Sequence, residues 1–252
     1  MKKSKLKIAA ILACRNNSTR LYAKPLQILD HKKQITILDQ IISLLKKKNI
    51  FDKIILSVAN NEENNIYREV SKKNKVQLSF GPEKNVLKRL ILSAKKHNVT
   101  TIFRVTSESP FIYHEEIKKK ILLFKKLKPD ALFFDDIIDG SGFEIISLKA
   151  LEISAKFARG DAKEHVTKYI RKNKKKFNII KIKANRKLFR KDLRLTVDNP
   201  EDLIVCREIY KKFKNDAPLF SLKKIINVLD NKPSLKKLLK KYTSEGYKTM
   251  YI

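Results

Sequence analysis

Short apolar runs alternate with amphipathic stretches through the first half of this chain, and that order leaves few folds open to it. Ile8 to Ala13 reads as a buried strand, as do Lys53 to Ala59, Val76 to Phe80, Thr101 to Thr106 and Ala131 to Phe134. Helical periodicity fills the gaps: Ile37 to Lys48, Glu62 to Lys73, Val86 to Lys96 and Glu115 to Lys126. Strand–helix–strand repetition implies parallel strands joined by right-handed crossovers, with helices over the sheet. Asn61 is placed to cap the helix that begins at Glu62, and Gly81-Pro82 breaks the chain after its strand.

The pattern changes after Asp135, at the turn-rich break Asp139-Gly140-Ser141-Gly142. Beyond it, strands are expected over Glu144 to Ser147, Phe177 to Ala184 and Leu193 to Val197, and helices over Leu148 to Phe157 and Asp161 to Lys172. Asn199-Pro200-Glu201-Asp202 opens a further helix, with Pro at its first position and acids in its first turn. Helices Leu222 to Leu229 and Ser234 to Lys241 follow. No linker separates 1–135 from 136–252, so residues 1–252 read as one domain.

The first strand empties into Cys14-Arg15-Asn16-Asn17-Ser18-Thr19-Arg20-Leu21-Tyr22-Ala23-Lys24. Arg15, Arg20 and Lys24 are closely spaced, with the small hydroxyls of Ser18 and Thr19 between them. Open α/β sheets bind ligands beyond the carboxyl ends of their strands, and such a loop suits a polyphosphate. Arg forks match phosphate oxygens, and Lys adds a point charge. No Gly-rich cradle is present, so a basic surface loop remains the other reading.

Acids are scarce, 26 against 58 Lys and Arg, so those at strand ends are informative. Glu108 follows the strand ending at Thr106, within Ser107-Glu108-Ser109-Pro110, and Asp198 follows Leu195-Thr196-Val197. Two carboxylates there, facing the three cations, would suit a Mg2+-nucleotide, because Mg2+ often takes one or two carboxylates plus substrate phosphates. Asp198 also reads as a helix cap, and Glu108 as a turn residue. In Glu164-His165-Val166-Thr167, His165 reads either as a satisfied structural histidine or as a contact to an anionic or hydroxylated acceptor. Asp135-Asp136 is a paired acid at a strand end and ranks below these. There is no Ser-His-Asp order and no covalent nucleophile.

A net charge of +32 would attract polyanions. The lysines are spread, however, as Lys46 to Lys48, Lys118 to Lys120, Lys174 to Lys176 and Lys240-Lys241, and are expected late in helices or just beyond them. Two cysteines, Cys14 and Cys206, without metal-type spacing, fit packed residues in a reducing cytoplasm. No apolar run reaches membrane-spanning length, and the basic N-terminus leads into too short an apolar segment for a signal peptide. The expectation is a cytoplasmic protein with no membrane insertion.

These segments, in this order, resemble the cytidylyltransferases of the spore-coat polysaccharide type, relatives of the acylneuraminate and 3-deoxy-manno-octulosonate cytidylyltransferases. The resemblance rests on Ala13-Cys14-Arg15-Asn16-Asn17-Ser18-Thr19-Arg20-Leu21 with Lys24, and on Gly81 with Val86-Leu87 and Arg89. It continues through Arg104-Val105-Thr106 before Ser107-Glu108-Ser109-Pro110, then Gly142-Phe143-Glu144 and Glu164-His165-Val166-Thr167. Leu193 to Leu203 and Asn231-Lys232-Pro233-Ser234 complete it.

The resemblance implies a nucleotide-diphospho-sugar transferase fold, a three-layer α/β/α sandwich with a mostly parallel central sheet. It implies transfer of CMP from CTP to an acidic sugar or phosphorylated acceptor, in polysaccharide precursor synthesis, with release of pyrophosphate. By position, 1–135 would be the nucleotide half and 136–252 the acceptor half. Arg15, Lys24, Glu108 and Asp198 would be catalytic, with Mg2+ on Glu108 and Asp198. Ala13, Arg15, Ser18, Thr19, Arg20, Lys24, Gly81, Arg89 and Thr106 would bind the nucleotide. Gly142, Glu144, Glu164 and His165 would face the acceptor. Homodimers through a sheet edge occur in the resembled family.

Three departures stand out: Ser107-Glu108 where the family has Gly-Asp, Asn85 and Lys88 where acids are common, and no glycine in Asp30-His31-Lys32-Lys33. They point to an altered acceptor or to a degenerate enzyme. A second enzyme reading keeps the fold and changes the nucleotide or the acceptor, a phosphonate among the candidates. The alternative of a different class is a non-enzymatic nucleic-acid binder. The charge supports it; the absence of Trp and of any recognition motif opposes it, so no specific nucleic acid is expected.

Overall fold

The computed structural model describes residues 6–243. Its strands are β1 (Ile8–Cys14), β2 (Ile28–Asp30), β3 (Ile35–Thr36), β4 (Lys53–Ala59), β5 (Gln77–Gly81), β6 (Thr101–Thr106), β7 (Ala131–Asp136), β8 (Phe143–Ser147) and β9 (Ile179–Lys183). Its α-helices are α1 (Ile37–Lys48), α2 (Tyr67–Lys73), α3 (Val86–Lys96), α4 (Ile117–Leu127), α5 (Leu148–Phe157), α6 (Lys168–Lys172), α7 (Pro200–Phe213), α8 (Leu222–Asp230) and α9 (Pro233–Leu239). Seven strands form one sheet in the order β5-β4-β1-β6-β8-β7-β9. β8 runs antiparallel to both of its neighbours, and every other pair is parallel.

Side-chain alternation along β1 builds two cores. Ile8, Ala10, Leu12 and Cys14 pack in the layer that holds α1, α4, α7, α8 and α9. Ala9 and Ile11 pack on the other side, against α3 and α5. Both faces of the sheet are thus covered, which explains why the strands read as continuous apolar runs.

Local chemistry sets the helix starts. Thr36 and Asp39 form a reciprocal capping box at α1, and Asn199 and Asp202 form another at α7, where Pro200 takes the first position. Asn85, one of the two residues that replace acids before Arg89, caps α3 by accepting from Lys88 N. Ser147 caps α5.

The structure corrects several expectations. The stretch Glu62 to Lys73 divides into a 3₁₀ turn, Glu62–Ile66, and the short α2. Asp161 to Lys172 is not one helix: a 3₁₀ turn, Gly160–Lys163, gives way at Glu164–Thr167 before α6. The break frees the Thr167 hydroxyl for a buried bond to Glu144. Leu193 to Val197 is not a strand of the sheet; its single ladder contact is the bridge Asp139–Arg194. Its backbone bonds to loops instead, Leu195 N to Asp139 O and Val197 N to Glu108 O. Lys118 to Lys120 lie in the first turn of α4, not the last, where Glu116 offsets them by pairing with Lys119 and Lys120. The β2–β3 hairpin was not anticipated.

Gly140 joins two of these loops at close quarters. Its φ is +87°, and a Cβ there would stand 2.4 Å from Thr196 N. Gly160 is also left-handed, at +52°, but a Cβ would meet nothing within 4 Å. Gly160→Ala is therefore expected to cost about 1 kcal/mol, the left-handed penalty alone. Gly140→Ala adds a backbone clash and is expected to cost more than about 3 kcal/mol. Urea unfolding of the two variants checks this, and equal losses would refute the close approach.

Candidate active site

The loop after β1 is held from beneath by two buried asparagines. Asn64 Oδ1 accepts from Asn16 N at 2.8 Å, Asn16 Nδ2 donates to Glu63 O, and Asn64 Nδ2 donates to Ala59 O. Ala23, at φ +48°, closes the loop by donating its N–H to Asn16 O. The 3₁₀ turn Lys24–Leu26 follows, so Lys24 leaves the loop in a fixed direction.

β6 delivers the second part. Ser107 Oγ lies 2.8 Å from Ala13 O and 3.1 Å from Glu108 Oε2, which ties the Glu108 turn to β1. Glu108 O accepts from Val197 N at 3.0 Å, and the next residue is Asp198. Asp198 Oδ1 meets Lys24 Nζ at 2.5 Å and Arg20 Nη2 at 3.0 Å. Its other oxygen accepts from Arg194. Arg194 is fully buried, donates to Tyr242 O, and lies near Asp202 at 3.4 Å and Asp139 at 3.8 Å.

The amino-terminal cations and the two distant acids therefore share one place. Arg15, Arg20, Lys24, Glu108 and Asp198 line a cavity of about 600 Å³. Thr106, Gly142, Glu144, Glu164 and His165 line it too. A second cavity of about 140 Å³ is lined by Ala13, Ser18, Arg89 and Thr106 and shares Arg15, Lys24 and Glu108 with the first. Thr19 and Gly81 border neither of these cavities. Gly81 serves packing: a Cβ there would sit 2.9 Å from Arg89 Cγ. Buried Arg89 donates to the carbonyls of Pro82 and Glu83 and so shapes the turn after β5.

Two acids from the acceptor group are already engaged. Glu164, half exposed, pairs with Arg15 at 2.8 Å. Glu144 is buried, accepting from Arg104 at 2.6 Å, Arg171 at 2.7 Å and Thr167 at 2.8 Å. Arg171 also pairs with Asp135 at 2.5 Å. Arg104, Arg171, Thr167 and Arg194 were not singled out as site residues from the sequence. The signal was there for the first: an arginine inside the apolar run Ile102-Phe103-Arg104-Val105, and a glutamate inside Phe143-Glu144-Ile145 that stands opposite it in register.

Electrostatics separates the acids. Burial raises the Glu108 carboxyl, and the charge of Asp198 raises it further against the pull of Lys24. Burial opposes ionisation of Asp198 as well, but Lys24, Arg194 and Arg20 outweigh it and hold its carboxyl low. Burial pushes the Cys14 thiol up to about 12, so it is no nucleophile at neutral pH.

A loop of cations at the end of a central strand, set against two acids over an α/β sheet, is the outline of a nucleotidyltransferase. The chain belongs to the cytidylyltransferase family, whose model matches residues 9–243. It is 30% identical over 244 residues to an uncharacterized protein of Methanocaldococcus jannaschii, covering 96% of this chain and 98% of the relative. It is 25% identical over 232 residues to the spore coat polysaccharide biosynthesis protein SpsF of Bacillus subtilis, covering 90% and 95%. Among solved structures, a cytidylyltransferase from Leptospira borgpetersenii superposes with a TM-score of 0.83 at 24% identity, covering 92% of this chain and 97% of that one. A CMP:2-keto-3-deoxy-manno-octonic acid synthetase complexed with CTP superposes at 0.61 and 9% identity, covering 82% and 99%. The fold is thus the α/β/α nucleotide-diphospho-sugar transferase type, and family membership sets aside the non-enzymatic alternative. Among the described residues no helix is long and apolar enough to cross a membrane.

Glu144 makes the buried cluster sensitive to acid. Burial would raise its carboxyl, but Arg104, Arg171 and Thr167 pull it down to about 2 from an ordinary 4.5. Its folded value lies below its unfolded one, so its contribution is complete above about pH 4.5 and is lost as pH falls toward 2. The amount is on the order of 3 kcal/mol. Asp135, raised by burial, acts in the opposite sense and blunts the loss. Glu144→Gln is expected to be clearly less stable than wild type at pH 7, to close part of the gap by about pH 3 and to converge on it at about pH 2. Urea midpoints across that range test this; a constant gap between the two proteins would refute it.

Proposed function

We propose that this enzyme transfers CMP from CTP to a small anionic acceptor and releases pyrophosphate. The observation that carries the reading is the convergence of Arg15, Arg20 and Lys24 with Glu108 and Asp198 in one cavity. In the proposed step an acceptor oxygen bonds to the α-phosphorus as the α–β bridging P–O bond breaks. The bond's electron pair leaves with pyrophosphate, and a hydroxyl acceptor loses its proton to water. Such chemistry needs positioning and charge stabilisation more than covalent help. Arg15, Arg20 and Lys24 bind the phosphates and stabilise the departing pair. Lys24 and Arg20 exchange the Asp198 carboxylate for phosphate oxygens, which carry more charge.

Glu108 and Asp198 suit Mg2+. Among the described residues no three His, Cys, Asp or Glu side chains surround one point, and Glu108 and Asp198 are the pair that lines the cavity beside the cations. That pair, with phosphate oxygens and water, is the donor set Mg2+ commonly takes. The charge of Asp198 already raises Glu108, as expected of acids that share one field. Bound there, Mg2+ supplies charge neutralisation at the phosphoryl oxygens.

The acceptor side is formed by residues beyond 136, with Gly142 and His165 in the cavity wall and Glu164 at its Arg15 border. Residues 1–252 act as one catalytic unit in this reading, whose ends, 1–5 and 244–252, lie outside the described residues. The similarity to a spore coat polysaccharide biosynthesis protein supports a role in glycan precursor synthesis, and acceptors range over keto-acid sugars, sugar phosphates and phosphonates.

The test is pyrophosphate release with each nucleoside triphosphate in turn, then CTP with a panel of those acceptors. Arg15→Ala and Asp198→Asn are each expected to lower kcat by roughly 10²–10³-fold while the proteins stay folded by circular dichroism. Near-normal turnover by both variants, or release with no nucleotide and acceptor pair, would overturn the assignment.

A further inference from the structure

Three adjacent strands deliver charged side chains to one face of the sheet. Arg104 on β6 stands opposite Glu144 on β8, and Glu144 stands opposite Phe133 on β7, two residues before Asp135. On these strands Ile102, Ile146 and Phe133 point into the same layer, against α3 and α5. Arg171 reaches over from α6, stacks 3.7 Å above the Phe133 ring, and pairs with both Asp135 and Glu144. Two guanidinium groups and two carboxylates thus form a cluster with no net charge. Such a cluster in low dielectric survives only when each charge is partnered.

The two arginines differ in one respect. The Arg171 side chain is 3% exposed and closed off, whereas Arg104 is 15% exposed and borders the cavities. Arg104 lines both the larger cavity, toward the acceptor residues, and the smaller one, toward Ala13 and Ser18. The hydrogen bond to Glu144 passes through Nη1, one of the nitrogens that carry its five N–H donors.

We propose that Arg104 holds the phosphoryl group joined to the nucleoside, the one under attack, while Arg15, Arg20 and Lys24 take the two phosphates that leave. This rests on the reading of the cavities as a CTP site. The attacked phosphorus must lie where nucleoside, acceptor and leaving group meet. Arg15 and Lys24 also line both cavities but come from the loop after β1, whereas Arg104 projects from β6 itself, between the acceptor residues and Ala13, with Glu108 four residues on. Glu144, itself fixed by Thr167 and Arg171, keeps the guanidinium from swinging with the substrate. A donor set in place before the reaction needs no reorganisation as charge develops. Glu144 is then a positioning residue, acting through Arg104.

Binding to the full chain tests this without an identified acceptor. Cytidine, CMP and CTP are titrated at fixed Mg2+ into wild type, Arg104→Met, Arg104→Gln, Arg104→Lys and Arg15→Ala. Wild type is expected to bind CMP more tightly than cytidine. The neutral Arg104 variants should weaken CMP by about tenfold to a hundredfold and leave cytidine unchanged. Arg104→Lys, which keeps the charge but not the fork, should weaken CMP at least about threefold and carries the test if neither neutral variant folds. Arg15→Ala should weaken CTP and leave CMP within about twofold. CMP affinity equal to wild type in the Arg104 variants, or equal losses of CMP and cytidine, would overturn the proposal. A wild type that binds no cytidine compound would instead sink the CTP reading itself.

Discussion

The Asp198 carboxylate is the tie on which the site's geometry depends. One oxygen receives Lys24 and Arg20 from the loop after β1, and the other receives Arg194 from its own approach segment. Residues 174 apart in sequence are thereby locked together. The tie works because both ends are fixed independently. Asn16 and Asn64 hold the loop, and Asp202 accepts the N–H groups of Asp198 and Asn199 at the start of α7. Rigid surroundings matter here: a charge pair between two mobile chains would lose most of its worth to side-chain entropy and solvent.

Much of this was legible in the sequence, for reasons that differ by element. α3 and α5 carry the bounds their periodicity predicts because Asn85 and Ser147 are both caps and boundaries. β1, β4 and β6 were readable because a sheet covered on both faces writes itself as unbroken apolar runs. The spacing of cations after β1 and the acids after β6 and before α7 marked the side chains that the fold brings to one cavity. What was not legible depends on partners distant in sequence. Leu193 to Val197 alternates like a strand because Leu193, Leu195 and Val197 are buried, yet no strand lies beside it and its backbone serves the Gly140 and Glu108 loops. The β2–β3 turn lacked the expected glycines because other chemistry closes it. Asp30 Oδ1 accepts from Lys32 N and Lys33 N, and Gln34 takes the left-handed conformation.

Glu144 shows the same limit within the site. Residue type and position mark it as a cavity acid, and it does border the cavity. Both of its oxygens are nevertheless occupied by protein donors. Only the pairing of β8 with β6 and the break before α6 reveal this, and neither is written in local periodicity.

The positive charge of the chain acquires a division of labour in the folded molecule. Lys46 to Lys48, Lys95, Lys96 and Lys156 lie in the last turns of their helices, where they complement the dipole or pair weakly with nearby acids. The cations of the site are of another kind. Lys24 and Arg104 are largely withdrawn from solvent, each held by one carboxylate, Asp198 or Glu144. A polyanion drawn in by the diffuse field outside meets, at the cavity, a few charges fixed in direction. Long-range attraction of this sort speeds encounter and is screened by salt. In the proposed function the local charges are what would set where each phosphate comes to rest. The scarcity of acids is what allows both effects in one chain, since Asp198 and Glu144 are spent on aiming cations at the site rather than on neutralising the surface.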